Sequence, residues 1–450
     1  MITGSNDTIA AIATASGVGA IGIVRVSGPD AVAITEIGFR GRTPLSGAPG
    51  YTLHHGTIHS PDGEEVDEVL VSLFRAPHSY TGEDSVEVSC HGGIIQTQRV
   101  LSTILRLGAR PALAGEFTRR AFMNGRIDLS QAEAVASLIS SRSRASARAS
   151  LGILEGRFSS SISSLRNELI GIAGLLELEM DFSEEEIDLV SSAEIEQRLV
   201  GVRSVVDRLG RSYHSGRMIR EGVSVVLAGR PNAGKSSLFN ALLMADRAIV
   251  TAAPGTTRDT IEEEIEIEGI LFRLTDTAGV RDSRDEAEAE GIRRGAAARE
   301  SADVLLLVHD LTEEDHSLAV RGETEARAVI HVWNKVDLSR PIGVMEGEVL
   351  VSARTGEGLD DLRRSLRRLV ELSERSIQDG EVVIVARHAA CLARAEESLT
   401  RALNLVKDGA GRELVATEIR GGIRHLEEIV GIVTTDEVLD RVFADFCIGK

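Results

Sequence analysis

The chain has 450 residues, 42% hydrophobic and 26% charged, which suggests about three domains and leaves room for a substantial core. Its net charge of −19 argues against loose, non-specific binding of nucleic acid, so any RNA contact must use a local patch or a partner. Cys90, Cys391 and Cys447 lie far apart and match no zinc spacing, the start lacks a signal-peptide pattern, and no apolar run reaches a membrane span, which together predict a cytoplasmic protein in a reducing compartment with no membrane contact.

Residues 1–120 read as a small α/β domain. Ala20 to Val26 is a strand ending at Ser27-Gly28-Pro29. Val69 to Leu73 and Val86 to Cys90 alternate apolar and polar residues at period two, so Glu87 lies opposite the Val86 and Val88 face. Thr81-Gly82-Glu83-Asp84 and His91-Gly92-Gly93 bracket the second of these as turns, and Ile94 to Leu107 is helical, ending near Gly108. On spacing alone, Arg25 and Glu87 are exposed strand charges and His91 is a turn residue. No nucleophile–base constellation is evident here.

Residues 121–220 switch to helical periodicity. Ser130-Gln131-Ala132-Glu133 reads as a capping box before Val135, Leu138 and Ile139. The basic stretch Ser140 to Arg148 reads as a solvated helix face. Leu165, Leu169, Ile172, Leu175, Leu176 and Met180 form one stripe, and a break at Asp181-Phe182-Ser183 starts a new cap with Glu186. Ile195, Leu199, Val202, Val206 and Leu209 form another stripe. Both are most simply bundle core.

Residues 221–373 carry the densest chemistry. Val223 to Ala228 is a buried strand, and Leu238 to Leu243 a helix. Between them stands Gly229-Arg230-Pro231-Asn232-Ala233-Gly234-Lys235-Ser236-Ser237, which fits GxxxxGK[ST] in the strand–turn–helix context of a phosphate loop. Its glycines let successive N–H groups point inward, and the helix N-terminus adds its dipole. Lys235 should reach the terminal phosphates and Ser236 should hold Mg2+. Asp276-Thr277-Ala278-Gly279 ends the strand Ile270 to Leu274, with Asp276 acting through the Mg2+ shell and the Gly279 N–H meeting the γ-phosphate. In Gly255-Thr256-Thr257-Arg258-Asp259 a Thr hydroxyl and carbonyl complete the Mg2+ site.

Val304 to Val308 and Val329 to Trp333 read as buried parallel strands, and Asn334-Lys335-Val336-Asp337 follows the second. Guanine offers two adjacent donors on one edge, which the Asp337 carboxylate accepts, whereas adenine leaves it unpaired. The Lys335 stem can lie over the ring with its ammonium in water, and Ser352-Ala353-Arg354 can close over the base with backbone N–H groups. These motifs in register specify GTP rather than ATP. Val280 stands where Ras-like enzymes place a water-positioning Gln, so the hydrolytic water must be oriented from elsewhere.

Residues 374–450 return to helix. Leu392, Ala395, Leu399, Leu403 and Val406 share one face, and Leu414, Ile419, Ile423, Leu426 and Val430 form a second run. Thr434 to Glu437 caps a last short helix. The helices flanking the G domain are expected to form one bundle, with the GTPase inserted in it.

Taken together, Thr81 to Asp84, His91-Gly92-Gly93, Gly115-Glu116-Phe117, Ala121 to Asn124, Asp128 to Ala134, the phosphate loop, Gly255 to Asp259 and the terminal Cys447-Ile448-Gly449-Lys450 resemble the MnmE (TrmE) family of tRNA-modification GTPases over the whole length. The resemblance implies a K+-activated GTPase of the TrmE–Era–Der group. It implies an N-terminal domain (residues 1–120) that binds 5-formyl-tetrahydrofolate or a related folate and forms a homodimer, a discontinuous helical domain, and a Ras-like G domain. An FAD-dependent MnmG-type partner is implied, joined in a heterotetramer or larger assembly. With it the protein would install a carboxymethylaminomethyl or aminomethyl group on carbon 5 of the wobble uridine of certain tRNAs.

The resemblance also assigns residues. K+ would be ligated by Asn232, Thr251, Ala253 and Thr256 in the loop that includes Ala252, Pro254 and Gly255, and Mg2+ by Ser236 and Thr257. Hydrolysis would be served by Asn232 and Lys235, with Glu288 in place of the missing Gln. Folate would meet Arg25, Glu87 and Arg126, approached by Lys450. Two other readings remain open on the residues: a GTP-dependent switch in ribosome assembly, which an acidic Ala/Leu/Glu-rich bundle after the G domain disfavours, and a folate-binding regulator whose G domain is incidental.

Overall fold

The computed structural model describes residues 7–181, 191–246, 262–276, 302–312, 328–339, 348–370, 382–444 and 446–450. The chain divides into two compact units. One comprises Met1–Ala136, Ser159–Ser163 and Leu426–Lys450, the other Ser137–Phe158 and Ser164–His425.

The first unit is a seven-stranded sheet with strand order β3-β4-β5-β6-β2-β1-β7. The strands are β1 (Ile9–Ile12), β2 (Ile21–Ser27), β3 (Phe39–Gly41), β4 (Thr52–His59), β5 (Glu65–Phe74), β6 (Ser85–His91) and β7 (Arg110–Pro111). Period-two alternation gives the sheet one apolar face: Val24, Val26, Val69, Val71, Leu73, Val86 and Val88 are at most 2% exposed. Helices α1 (Ala31–Gly38) and α2 (Ile94–Arg106) cover that face through Ile34, Val100 and Ile104. The other face carries Arg25 of β2 directly across from Glu87 of β6. Helix α3 (Glu116–Met123) starts at Gly115, whose φ is 66° and where a Cβ would sit 2.7 Å from the Phe443 carbonyl oxygen. Only glycine fits that turn.

Helix α4 (Leu129–Ile139) is capped differently from the sequence expectation. Asp128 Oδ1 accepts from Gln131 N (2.9 Å) and Asp128 N donates to Gln131 Oε1 (2.9 Å), so the capping box is Asp128 with Gln131. The Ser130 hydroxyl is drawn to Asp128 Oδ1 at 2.7 Å and is not free to cap.

The second unit holds the helices α5 (Arg144–Leu154), α7 (Ser192–Glu221) and α10 (Ala386–Lys407), and most of α6 (Arg157–Asp181) and α11 (Arg412–Val430). Helices α7 and α10 pack along one another through the stripes read from the sequence; Leu199, Val206, Leu392, Ala395 and Leu399 are fully buried. Leu414 is 56% exposed, and Val415 takes its place in a stripe with Ala416 and Ile419, because one residue of helix rotates a side chain by about 100°. Helix α7 is capped by Ser191, which accepts from Glu194 N; the expected cap at Ser183 lies outside the described residues. The basic stretch is not a plain solvated face. Ser143 caps α5, Ala145 N donates to the Gly269 carbonyl (3.0 Å), and Arg142 pairs with Glu264.

The same unit contains a six-stranded sheet of order β13-β12-β11-β8-β10-β9. Its strands are β8 (Val223–Gly229), β9 (Glu262–Ile267), β10 (Ile270–Asp276), β11 (Val304–Asp310), β12 (Ala328–Asn334) and β13 (Glu348–Leu350). All neighbours are parallel except β9, which pairs antiparallel with β10. Helices α8 (Lys235–Asp246) and α9 (Leu359–Arg368) flank it. In such a sheet ligands bind beyond the C-terminal strand ends, where strand order reverses. That reversal is at β8, between β10 and β11. The last helix, α12 (Asp436–Ala444), belongs to the first unit.

Candidate functional site

The loop after β8 is shaped by what surrounds it. Gly229 has φ 148°, and a Cβ there would lie 2.2 Å from the Val308 carbonyl oxygen of the neighbouring strand. Gly234 has φ 87°, and its Cβ would lie 2.2 Å from Asn334 Nδ2. Asn232 adopts a left-handed φ of 62° at the exposed crest of the loop, a conformation Asn tolerates better than most residues. Ala233 is buried and Ser237 exposed. The chain then enters α8, and a helix N-terminus is a ready site for phosphate.

The charged groups converge there. Lys235 is 9% exposed, and its Nζ donates to the carbonyls of Gly229 (3.1 Å) and Arg230 (2.8 Å). The Ser236 hydroxyl donates to Asp276 Oδ2 at 2.7 Å, and Asp276, at the end of β10, is 5% exposed. A hydroxyl and a buried carboxylate in contact at a phosphate loop form a hard-oxygen donor set suited to Mg2+, which keeps most of its shell for water and phosphate. Among the described residues no group of three His, Cys, Asp or Glu forms a metal cage.

The base side is built by β12 and the segment after β13. Asn334 is 2% exposed and faces the protein on both sides of its amide. Nδ2 donates to the Ala233 carbonyl (3.0 Å), while Oδ1 accepts from Lys335 N (2.9 Å) and Ala353 N (3.0 Å). It ties the phosphate loop to both base loops. The Ala353 N–H, expected to face the base, is directed to Asn334 in this structure, and Arg354 is exposed. Asp337 stands exposed, with Oδ1 held by the Ser352 hydroxyl at 2.7 Å, so one carboxylate edge is oriented and the other is left outward. Lys335 has φ 70°, and its ammonium does not stay in water: it pairs with the buried Asp310. Thr251, Ala252, Ala253, Pro254, Gly255, Thr256, Thr257, Thr277, Ala278, Gly279, Val280 and Glu288 lie outside the described residues.

In the first unit, Arg25 and Glu87 are not lone exposed charges. Arg25 Nε and its terminal nitrogen reach Glu87 Oε1 at 3.0 and 2.9 Å, and the side chains are 14% and 25% exposed. Their cross-strand register forces the pairing. The Arg25 guanidinium lies 5.2 Å from the centre of the Tyr80 ring and 5.7 Å from that of Phe117, and Lys450 Nζ lies 5.9 Å from the Tyr80 ring. Burial, with Arg25 nearby, lowers the Lys450 ammonium below its usual range, only partly offset by Glu87. The terminal segment is pinned: Ile448 bridges Ala114, Arg25 donates to the Gly449 carbonyl (3.4 Å), and a Cβ on Gly449 would strike the Ile12 carbonyl. Arg126 donates to the Ser79 carbonyl at 3.1 Å, next in sequence to Tyr80. Sequence reasoning missed Tyr80, whose hydroxyl is 2.9 Å from Thr118 Oγ1.

Beneath this cluster lies a charge network. Glu116, 2% exposed, accepts from Arg110 (2.6 Å), Arg120 (3.1 Å) and Leu113 N (2.8 Å). Arg120 also meets Asp7 and Glu83. Burial would raise the Glu116 carboxyl, but these hydrogen bonds outweigh it and hold the group below the usual carboxylate range. The network fixes α3, and with it Phe117 and Thr118, under Arg25 and Tyr80.

Fold and motif geometry thus define a Ras-like P-loop GTPase domain carried by an α/β and helical chain. The family model "GTP-binding protein TrmE N-terminus" matches residues 8–126, and "MnmE helical domain" matches residues 129–447. The chain is 44% identical over 468 aligned residues to the tRNA modification GTPase MnmE of Moorella thermoacetica, covering 99% of this chain and 100% of that protein. It is 42% identical to the protein of the same name from Syntrophus aciditrophicus, covering 99% of each. Among solved structures, the G domain of the T. maritima FeoB iron transporter is 28% identical, covering 33% of this chain and 98% of that one, with a TM-score of 0.25. The chain belongs to the MnmE family of tRNA modification GTPases.

Proposed function

We propose that this protein is the GTP-hydrolysing component of a wobble-uridine-modifying complex. With an FAD-dependent MnmG-type partner it places a carboxymethylaminomethyl or aminomethyl group on carbon 5 of the wobble uridine of certain tRNAs, in the cytoplasm, as a homodimer joined through its N-terminal domains. Among the described residues no helix is long and apolar enough to cross a membrane. The observation that carries the reading is the convergence of Lys235, Ser236 and Asp276 on one loop that Asn334 ties to the base-side loops.

Lys235 exchanges its two carbonyl partners for the β- and γ-phosphates when GTP binds. Ser236 and Thr257 would hold Mg2+, with Asp276 acting through its shell, and the bound ion would supply charge neutralisation at those phosphates. Asn232, at the loop crest, would hold K+ together with Thr251, Ala253 and Thr256, and the bound ion would supply the fixed positive charge other GTPases draw from an arginine. Glu288 orients the hydrolytic water, and face-to-face pairing of two G domains completes the site. Asp337 selects guanine.

In the N-terminal unit, Arg25, Glu87, Arg126 and Lys450 offer one carboxylate and three cations. This donor set matches a pterin amide edge and the glutamate carboxylates of 5-formyl-tetrahydrofolate. Nucleosides of total tRNA from a strain lacking this gene are the test. Loss of the modified wobble uridine, restored by the gene and not by Lys235→Ala, is the expected result; unchanged nucleosides would refute the reading.

A further inference from the structure

Asp310 has no place in the phosphate or guanine motifs, yet both of its carboxylate oxygens are engaged at the base side. It ends β11 in register with Asn334, the last residue of β12, and the next residue, Leu311, donates its N–H to the Asn334 carbonyl (3.1 Å). Its two carboxylate oxygens have separate tasks. Oδ1 accepts from Thr312 N (2.9 Å) and Thr312 Oγ1 (2.7 Å), fixing the carboxylate on its own turn. Oδ2 receives the Lys335 ammonium. The Asp310 side chain is 6% exposed. Burial would raise its carboxyl, but the bonds from Lys335 and Thr312 hold it below the usual carboxylate range.

Lys335 is held at both ends. Its backbone is in the left-handed region at φ 70°, kept there by Asn334 Oδ1 on its N–H and by Leu338 N on its carbonyl. Its ammonium is tethered to Asp310. The four methylenes between these anchors are left with one course, and the charge that would keep them in water is neutralised from below. An unpaired lysine here would present a mobile, strongly hydrated cation; the paired one presents a fixed apolar ribbon beside Asp337.

We propose that Asp310 is a positioning residue for guanine-nucleotide binding, acting through Lys335 to preorganise an apolar platform for the base without touching the nucleotide. The proposal rests on the reading of Asn334 to Asp337 as the guanine site, and that reading has its own control. Xanthine carries a carbonyl where guanine carries its amino group, so Asp337→Asn should shift preference from GTP to XTP. Absence of that shift refutes the guanine reading itself.

The test is titration with fluorescent GDP and steady-state GTP hydrolysis, using the full chain. Asp310→Asn keeps an acceptor for Thr312 and loses the ion pair. It should weaken GDP binding and raise KM for GTP at least fivefold, with kcat changed less than twofold. Lys335→Met keeps the apolar stem without its anchor and should behave alike. The double variant should be no worse than either single one, because both remove the same pair. Unaltered KM in Asp310→Asn, multiplicative losses in the double variant, or a fall in kcat alone would each overturn the proposal. If Asp310→Asn does not fold, Thr312→Val decides: it removes the hydroxyl bond that fixes the Asp310 carboxylate and should raise KM for GTP at least twofold in the parent but not on the Lys335→Met background, and no rise, or the same rise on both backgrounds, would overturn the idea.

Discussion

In the nucleotide cradle, each polar group sits within a few residues of the end of a strand. Parallel β8, β10, β11 and β12 deliver Lys235, Asp276, Asp310 and Asn334 to one edge because that is where their loops emerge. In the Arg25 cluster, the partners come from a strand, its neighbour, a turn and a terminal segment, and Arg25 meets the Gly449 carbonyl across 424 positions of sequence. The cradle depends on backbone that only glycine can supply. The cluster depends on a buried charge network that holds a helix in place. The first should fail through single backbone atoms, the second through its supports.

The largest effect is expected in those supports. Glu116→Ala leaves Arg110 and Arg120 without their shared buried carboxylate and should destabilise the N-terminal unit by about 3–5 kcal/mol. Thermal melting of the full chain reads this, and an unshifted first transition would contradict it. The pH dependence has a definite sign. Glu116 and Asp7 are both held below their ordinary values, near 4.5 and 3.8, so their contribution is complete above those values and is lost as pH falls through the lower folded ones. Glu116→Ala should therefore also flatten the acid limb of the melting curve.

The cradle has its counterpart in Gly234→Ala. The added Cβ would lie 2.2 Å from Asn334 Nδ2 on a backbone with φ 87°, and we expect guanine-nucleotide affinity to fall by about a hundredfold, roughly 2.7 kcal/mol. Folate binding in the same variant should stay at the parent value; a parallel loss would break the separation of the two regions. A smaller effect belongs to hydrolysis. Glu288→Ala should lower kcat at least about tenfold, about 1.4 kcal/mol of barrier, with GTP binding little changed. Turnover should also rise strongly when K+ replaces Na+, and Asn232→Ala should erase that difference. Equal rates of the parent in both salts would remove K+ from the account.

The two regions differ equally in how far they could be read from sequence. The phosphate loop, Asp276 and the Asn334–Asp337 run were legible because their spacing is set by one strand end and one turn. The apolar alternation of β5 and β6 and the stripes of α7 and α10 were legible for the same local reason. Asp310 was not, since its partner Lys335 is reached only through the β11–β12 register, although an Asp two residues before Thr312 at a strand end does signal a side-chain turn. Spacing made Arg25 and Glu87 lone surface charges, because cross-strand pairing is not written in either strand. Tyr80 was missed because a ring near two cations has no motif. The cap at Asp128 and the exchange of Leu414 for Val415 show the usual error of one or two residues at helix ends.

The central claim is that these differently built regions serve one reaction. It is tested most directly by Glu87→Ala, assayed as purified chain for GTP hydrolysis in K+ and in the deletion strain for wobble-uridine nucleosides. The account predicts turnover within twofold of the parent together with loss of the modified uridine. Full modification by Glu87→Ala would contradict it.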